Sequence, residues 1–334
     1  MGPLLTVNDL HVEFKTYAGI VEAVRGVSFE LQTGEVMAIV GESGCGKSVT
    51  AQSILRIIPE PPGKITGGSI LFDDEEILSI SERKMRSIRG KKISMIFQDP
   101  MTSLNPVLSV QTQLTETLCR HTGMNKHEAT RRALELLDLV GIPAPETRLR
   151  QYPHELSGGL RQRVMIAMAL SCDPRLLIAD EPTTALDVTI QAQILELIKE
   201  IKDRLQMSLI LITHDLGVVA GLADRVMVMY AGQVFEMGTV DEILKKPLHP
   251  YTWGLLRSLP RLDMTKGQKL IPIWGQPPDL LQRFTGCSFL PRCDYAMNIC
   301  VREIPEAFGL HRVRCWLEHP QAPQIERKTG GTLK

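Results

Sequence analysis

The stretch Gly41-Glu42-Ser43-Gly44-Cys45-Gly46-Lys47-Ser48 decides the fold of this chain. It fits the pattern G-x-x-x-x-G-K-[ST], follows the apolar run Val36 to Val40 and precedes the helical stretch Val49 to Ile58. Glycines between a strand and a helix let backbone N–H groups wrap around phosphate oxygens, and the helix N-terminus adds positive charge. The sequence therefore predicts an α/β fold with a phosphate-binding loop.

The residue types in this loop predict a nucleotide site that uses Mg²⁺. Lys47 is expected to reach the β- and γ-phosphates, and the hydroxyl of Ser48 is expected to bind the metal ion. The other residues expected around the nucleotide are Gly41, Ser43, Gly44, Cys45, Gly46 and Val49. A glycine-rich turn that matches by chance is the alternative, but here strand and helix stand where the motif requires them.

Two acidic residues follow a second buried strand. The apolar run Leu176 to Ala179 ends in Asp180 and Glu181, and ligands of open α/β sheets bind at the carboxyl ends of strands. Asp180 is predicted to hold Mg²⁺, and Glu181 is predicted to polarise the attacking water as a general base. Taken alone, the pair could also be a solvated acidic turn.

Two further polar residues stand after apolar runs and are weaker candidates. Gln98 follows the run Ile93 to Phe97, and its amide could bind Mg²⁺ and sense the γ-phosphate. His214 follows the run Leu209 to Thr213 and could contact the γ-phosphate as a neutral hydrogen-bonding group. Neither residue predicts a function by itself, so both assignments depend on the order and spacing of these residues among the other motifs.

The chain before residue 249 alternates between strand and helix patterns. Segments such as Leu10 to Phe14 and Val27 to Leu31 indicate strands, and a helical insert is expected over about residues 99–170. A helix is predicted around Ala133 to Val140, ending at Gly141. The helical stretch Ile190 to Leu205 separates two apolar strands, which indicates a parallel sheet.

The composition changes after Leu248, where proline and glycine become frequent and regular periodicity ends. This change predicts a large domain at 1–248, a C-terminal extension at 249–325 and a disordered tail at 326–334. The full length of 334 residues also exceeds the usual size of one domain.

Charge and hydropathy argue against several function classes. The 38 Lys and Arg residues balance 38 Asp and Glu residues, so no net charge points to nucleic acid or to an anionic membrane surface. No run approaches the ~20 apolar residues of a membrane-spanning helix. The start of the chain, Met1 to Leu5, lacks the pattern of a secretory signal. We therefore expect a cytosolic protein that reaches the membrane through a partner.

Four of the seven cysteines lie close together in the extension: Cys287, Cys293, Cys300 and Cys315. Four thiols are enough for a tetrahedral Zn²⁺ site or a [4Fe–4S] cluster. The wide gaps disfavour a zinc ribbon, which uses closely spaced cysteine pairs. Disulfides are disfavoured in a reducing cytosol, and free structural thiols remain an alternative. The spacing does not decide between iron and zinc.

A further motif, Leu156-Ser157-Gly158-Gly159-Leu160-Arg161-Gln162-Arg163, resembles the signature of ABC-type ATPases. In chain order, the remaining motifs resemble the P-loop, the Q-loop glutamine Gln98, the Walker B pair Asp180-Glu181, the D-loop Ala185-Leu186-Asp187 and the switch histidine His214. The resemblance covers residues 4–248. It implies an antiparallel β subdomain, a parallel-sheet core and a helical subdomain, with a small irregular cysteine-containing extension added.

The same resemblance implies that the ATPase works in pairs. Ser157, Gly158, Gly159 and Asp187 would engage nucleotide held by the partner subunit. An aromatic residue that stacks on adenine normally precedes the P-loop in this family, and Tyr17 is better placed for this than Phe14. Leu160 departs from the pattern, because the commonest signature has glutamine there.

Two segments resemble the oligopeptide and dipeptide importer subgroup, which also includes nickel importers: Gln98 to Pro106 and His249 to Thr252. The resemblance implies two transmembrane permease subunits, a second ATPase subunit that is related but not identical, and, indirectly, an extracytoplasmic solute-binding protein. It places the chain on the cytoplasmic face of the cell membrane, with Asp99 to Leu118 as the docking surface and no nucleic acid partner. It also associates a [4Fe–4S] cluster with the four cysteines.

Three alternatives to a peptide importer remain open from the sequence. One is an importer ATPase for nickel or another small solute. The second is a soluble ABC ATPase of translation or repair, although such proteins usually carry two cassettes or long coiled-coil inserts. The third is a regulatory subunit that binds ATP without turnover, against which the presence of Glu181 and His214 argues.

Overall fold

The computed structural model describes residues 2–99, 103–184, 187–258, 272–309, 311–325 and residue 327. The chain divides into two compact units. Unit 1 comprises Met1–Leu31, Val36–Leu78 and Thr213–Lys334, and unit 2 comprises Gln32–Glu35 and Ser79–Ile212. The predicted boundary near residue 248 stays a prediction, and the residues on both sides of it belong to unit 1. Apart from Arg327, the predicted tail at 326–334 lies outside the described residues.

An antiparallel sheet forms the first part of unit 1. Its strands are β1 (Leu5–Thr16), β2 (Gly19–Leu31), β4 (Gly63–Phe72) and β5 (Glu75–Glu76), in the order β2-β1-β4-β5. Leu5 and Val7 are buried on one face of β1, and Leu10 and Val12 continue the alternation after a register shift between Val7 and Leu10. The strands predicted at Leu10 to Phe14 and Val27 to Leu31 are confirmed.

The second sheet of unit 1 carries the phosphate loop. Strand β3 (Val36–Val40) pairs in parallel with β9 (Arg225–Tyr230), and β9 pairs antiparallel with β10 (Gln233–Thr239), which pairs with the short β11 (Arg312–Val313). All five residues of β3 are buried. The helices of this unit are α1 (Lys47–Ile54), α8 (Leu216–Leu222), α9 (Val240–Lys245), α10 (Pro250–Arg257) and α11 (Asn298–Arg302).

Unit 2 combines three parallel strands with several helices. The strands β6 (Ile93–Ile96), β7 (Leu176–Asp180) and β8 (Ser208–Thr213) pair in parallel in the order β8-β7-β6. The helices are α2 (Glu82–Ile88), α3 (Val110–Thr122), α4 (Lys126–Leu139), α5 (Pro145–Arg150), α6 (Gly158–Leu170) and α7 (Val188–Leu205). The predicted succession of strand, helix and strand is confirmed by β7, α7 and β8.

One sequence expectation about a helix end is wrong, and one short helix was not predicted. The helix after the phosphate loop ends at Ile54, four residues before the expected Ile58. The extension, expected to be irregular, begins with α10, whose residues Tyr251 to Gly254 are all buried. With eight residues, this helix is too short for a sequence period to reveal it. Within the described residues, no helix is long and apolar enough to cross a bilayer.

Candidate functional site

The phosphate loop of unit 1 is held tightly by its neighbours. Gly41 and Gly46 have φ values of 151° and 97°. A Cβ atom would clash with the carbonyl oxygen of Met229 at Gly41 and with that of Ala23 at Gly46. Only glycine therefore fits at these two positions, which explains the glycines of the motif in terms of space as well as conformation.

Lys47 opens helix α1 and folds back over the loop. Its side chain is buried, and Nζ donates to the carbonyl oxygens of Gly41 at 2.9 Å and Glu42 at 3.0 Å. Ser48 and Val49 lie in the first turn of α1, while Ser43 and Gly44 are exposed at the tip of the loop. The N-terminus of α1 and the ammonium group thus face one concave loop, an arrangement suited to phosphate oxygens.

Cys45 is a buried part of the same loop. Its carbonyl oxygen accepts a hydrogen bond from the N–H of Gly232 at 3.0 Å. Burial raises the pKa of the Cys45 thiol, and the charge of Lys47 offsets part of that shift. Cys45 thus serves to anchor the loop on the turn between β9 and β10.

The acidic pair lies in unit 2, at the end of β7. Asp180 is buried, and Glu181 has a φ of 45°, in the left-handed region that is costly for a residue with a side chain. The carboxylate Oε2 of Glu181 accepts hydrogen bonds from Gln98 Nε2 at 2.9 Å and from Thr184 Oγ1 at 3.0 Å. The structure thus brings Gln98 and Glu181 together, and these two donors fix the direction of the carboxylate.

The signature residues begin helix α6 in the same unit. Ser157 is the N-cap, and its Oγ accepts from the N–H of Leu160 at 3.4 Å. Ser157 and Gly158 are exposed, and Gly159 is half-buried. Leu160 contributes a backbone group to this cap, so the departure from glutamine does not alter it. Gln162 is buried and donates to the carbonyl of Pro182, just after Glu181.

Asp187 caps α7, with Oδ1 accepting from the N–H of Ile190 at 2.9 Å. Ala185 and Leu186 of the predicted D-loop, like Pro100 to Thr102 of the importer-like segment, lie outside the described residues. His214 is exposed directly after β8. Tyr17 is fully exposed in the turn between β1 and β2, and Phe14 is half-buried.

The four clustered cysteines converge on one cavity in unit 1. Cys287, Cys293, Cys300 and Cys315 all line a cavity of about 20 Å³, with His249 and Trp316 among its other walls. All seven cysteines of the chain lie among the described residues and none forms a disulfide. Burial raises the pKa of Cys293 to about 11 and raises those of Cys287 and Cys315. Among the described residues, no group of three or more His, Cys, Asp or Glu side chains is arranged to hold a metal ion.

The sequence did not indicate two residues of the extension that contact the phosphate loop. Tyr251 and Arg292 both bind Glu42, and this carboxylate raises the pKa of Arg292 above its ordinary value. Tyr251 lies within the importer-like segment His249 to Thr252, but that segment contains no chemical motif that predicts a contact with the loop.

Two family models match the chain. The model described as ABC transporter matches residues 24–184, and the model described as oligopeptide/dipeptide transporter, C-terminal region, matches residues 235–300. The first therefore spans the phosphate loop, the signature and the acidic pair. The second includes Arg292 and three of the four clustered cysteines.

Curated relatives match over nearly the whole chain. It is 57% identical to the oligopeptide transport ATP-binding protein OppD of Bacillus subtilis, over 97% of this chain and 91% of that protein. It is 58% identical to the dipeptide transport ATP-binding protein DppD of the same organism, over 96% and 97%. The oligopeptide transport protein OppD of Salmonella typhimurium is 53% identical, over 93% and 92%.

Solved structures match a little over two thirds of the chain. The dimeric ATP-binding cassette MJ0796, in a post-hydrolysis state bound to ADP and Pi, has a TM-score of 0.64 at 28% identity, covering 71% of this chain and 98% of that chain. The structure of cbiO1 from Clostridium perfringens has a TM-score of 0.61 at 31% identity, covering 73% and 91%.

Proposed function

Because the chain belongs to the family of ABC transporter ATP-binding proteins, we propose that it hydrolyses ATP to drive the uptake of di- or oligopeptides through transmembrane partner subunits. The observation that carries this proposal is its identity of 57% and 58% with oligopeptide and dipeptide transport proteins over almost the whole chain. The match to the C-terminal region of peptide transporters supports it separately.

The nucleotide is proposed to be bound by the residues that the sequence indicated. The phosphate loop, with Lys47, binds the phosphates in unit 1. Ser48, Gln98 and Asp180 have the oxygen donors that Mg²⁺ prefers, and the bound ion would neutralise phosphate charge. Tyr17, exposed beyond β1, remains the proposed partner of adenine.

Hydrolysis is proposed to depend on Glu181. The hydrogen bonds from Gln98 and Thr184 leave its carboxylate oriented, and a carboxylate held in this way can take a proton from water. His214 is proposed to contact the γ-phosphate. The exposed Ser157, Gly158 and Asp187 would act on nucleotide bound by a second ATPase subunit, so that hydrolysis requires a pair.

The proposed assembly contains two permease subunits, a related but non-identical second ATPase and, indirectly, an extracytoplasmic solute-binding protein. The chain would lie peripherally on the cytoplasmic face of the membrane, docked through the segment Asp99 to Leu118. Within that segment the described residues include the exposed Val107, at 75% exposure, which suits contact with an apolar partner surface.

Co-purification tests this assembly. The full chain with an affinity tag is recovered from detergent-solubilised membranes of the cells that naturally produce it, and its partners are identified by mass spectrometry. We expect transmembrane subunits and a second ATPase in stoichiometric amounts. Recovery as a free monomer, or with ribosomes or DNA, would contradict the proposal.

We also propose that the four clustered cysteines bind a metal–sulfur group, with a [4Fe–4S] cluster favoured and Zn²⁺ as the alternative. The convergence of all four thiols on one cavity supports the site. A single zinc ion would draw the sulfur atoms to ~2.3 Å from it. A [4Fe–4S] cluster is held by four cysteine thiolates, the number of cysteines that line this cavity.

Anaerobic purification, with an absorption spectrum and metal analysis of one sample, tests the cysteine site. About four irons per chain and a brown colour are expected, and both should be lost in Cys315→Ser. Cys119→Ser is the matched control, because Cys119 lies in α3 of the other unit. Zinc in place of iron would support the alternative metal, and a metal-free wild-type chain would refute the site without affecting the ATPase proposal.

A further inference from the structure

We infer that Arg292 of the C-terminal extension is a positioning residue of the nucleotide site, because it holds Glu42 of the phosphate loop and neutralises its charge. The inference rests on the proposed ATPase function and adds a role for the extension in ATP binding. It concerns residues of unit 1 alone, where both side chains are fully described.

The contact between Arg292 and Glu42 is bidentate. Arg292 Nη1 lies 2.6 Å from Glu42 Oε2, and Nη2 lies 2.9 Å from Oε1. The Arg292 side chain is 4% exposed and that of Glu42 is 25% exposed. Two parallel charge-assisted hydrogen bonds fix both planar groups, and their burial protects them from screening by salt.

The guanidinium is itself fixed by three further acceptors. Nε donates to the carbonyl of Trp274 at 3.0 Å, Nη2 to the carbonyl of Ile273 at 3.2 Å, and Nη1 to the hydroxyl of Tyr230 at 3.2 Å. Every nitrogen of the guanidinium therefore has a partner. The group presents a rigid fork to Glu42, and a lysine could not reproduce this geometry.

Glu42 is held at all of its polar groups. Its backbone N–H donates to Tyr251 Oη at 2.9 Å, and its carbonyl accepts from Lys47 Nζ at 3.0 Å. Tyr251 is fully buried and packs against Tyr230 and Phe289. The extension thus fixes the residue whose carbonyl positions the phosphate-binding lysine.

The charge of Glu42 explains why an arginine is needed. A carboxylate within a phosphate-binding loop repels the anionic phosphates of ATP, and this repulsion is strong in a partly buried site. The guanidinium of Arg292 neutralises the Glu42 carboxylate through its two hydrogen bonds. Without Arg292, the loop would present an unpaired carboxylate beside the ligand, whereas a neutral residue at position 42 would remove the need for the arginine.

Binding of ATP to four variants of the full chain tests the inference. We expect Arg292→Ala to raise the Kd for MgATP by about tenfold or more, as for the loss of a charge-assisted hydrogen-bonded pair. Arg292→Lys should fall between this value and wild type. The double variant Arg292→Ala with Glu42→Gln should return to within about threefold of wild type. Arg302→Ala, an exposed residue of the same extension, is the control and should not differ from wild type.

The rescue by Glu42→Gln distinguishes two roles for Arg292: neutralising the charge of Glu42, or only holding the extension against the loop. If Arg292 only fastened the extension, the double variant would bind ATP as poorly as Arg292→Ala, and that result would overturn the inference. Unchanged affinity in Arg292→Ala would also overturn it. Thermal unfolding of each variant confirms that the chain is folded. A wild-type chain that failed to bind MgATP would refute the proposed function instead.

Discussion

The phosphate loop of unit 1 and the acidic pair of unit 2 are held in place by different means. The loop is fixed by glycines packed against backbone carbonyls, by the buried Lys47 and by the Glu42 contacts. Glu181 is fixed by a strained backbone and by two side-chain donors near the surface, Gln98 and Thr184. Burial makes the loop rigid, whereas side-chain hydrogen bonds near the surface can be exchanged for other partners.

This difference indicates how binding and hydrolysis can be separated in one subunit. A rigid loop binds nucleotide without rearrangement, which lowers the entropic cost of binding. A carboxylate held by the exchangeable amide of Gln98 can be released when that amide finds another partner, such as a phosphate or Mg²⁺. Changes in the two regions should therefore have separable effects on ATP binding and on turnover.

The largest effect is expected from Glu181→Gln. The amide cannot accept a proton from water, so kcat should fall by about 10²–10⁴ while ATP binding is retained. Single-turnover hydrolysis and equilibrium nucleotide binding, measured on the assembled complex, check both quantities. Glu196→Gln, on the exposed side of α7, is the matched control. Undiminished hydrolysis in Glu181→Gln would remove Glu181 from its proposed role.

The next effect is expected from Gly46→Ala, which tests the rigid region. The new Cβ would meet the carbonyl oxygen of Ala23, and the left-handed backbone adds a cost of about 1–3 kcal/mol. ATP affinity and the free energy of unfolding should both fall. Gly123→Ala has a similar positive φ but open space around it, so it isolates the backbone cost. Equal effects of both variants on stability would contradict the packing explanation.

A smaller effect is expected from Gln98→Leu, which removes one of the two donors to Glu181. Loss of a hydrogen bond to a charged group corresponds to about tenfold in kcat. Thr184→Val removes the other donor and should lower kcat by a smaller factor, since a water molecule can replace the lost hydroxyl as a donor to Glu181. Steady-state kinetics of both variants check the order. A larger loss in Thr184→Val would mean that Gln98 does not orient the carboxylate.

The smallest effect on binding is expected from Cys293→Ser, which tests how the extension influences the loop. Cys293 directly follows Arg292 in the chain. A change at the cysteine cavity can therefore shift Arg292, which binds Glu42. Metal should be lost, while the Kd for MgATP rises by only about threefold, because the Arg292 contacts with Glu42 remain. Complete loss of ATP binding would show that the cysteine cavity is needed for the fold of unit 1.

The sequence predicted the local parts of this molecule well. The phosphate loop and the acidic pair each lie within one strand and its following turn, so periodicity and residue type were enough to place them. The signature, by contrast, came from family resemblance. The contact between Glu42 and Arg292 spans 250 residues and shows in no local pattern. Helix α10 was missed because its eight residues are too few for a sequence period to stand out. The positive φ of Glu181 was not predicted because glutamate does not favour that conformation.

The central claim is that ATP hydrolysis by this chain is coupled to peptide uptake, and it is tested most directly by the ATPase activity of the assembled complex in proteoliposomes. The complex, with its solute-binding protein, is supplied in turn with a tripeptide, with Ni²⁺ and with neither. Stimulation of hydrolysis by the tripeptide alone, abolished by Glu181→Gln, is the predicted result. Stimulation by Ni²⁺ instead, or hydrolysis that is indifferent to both solutes, would contradict the account.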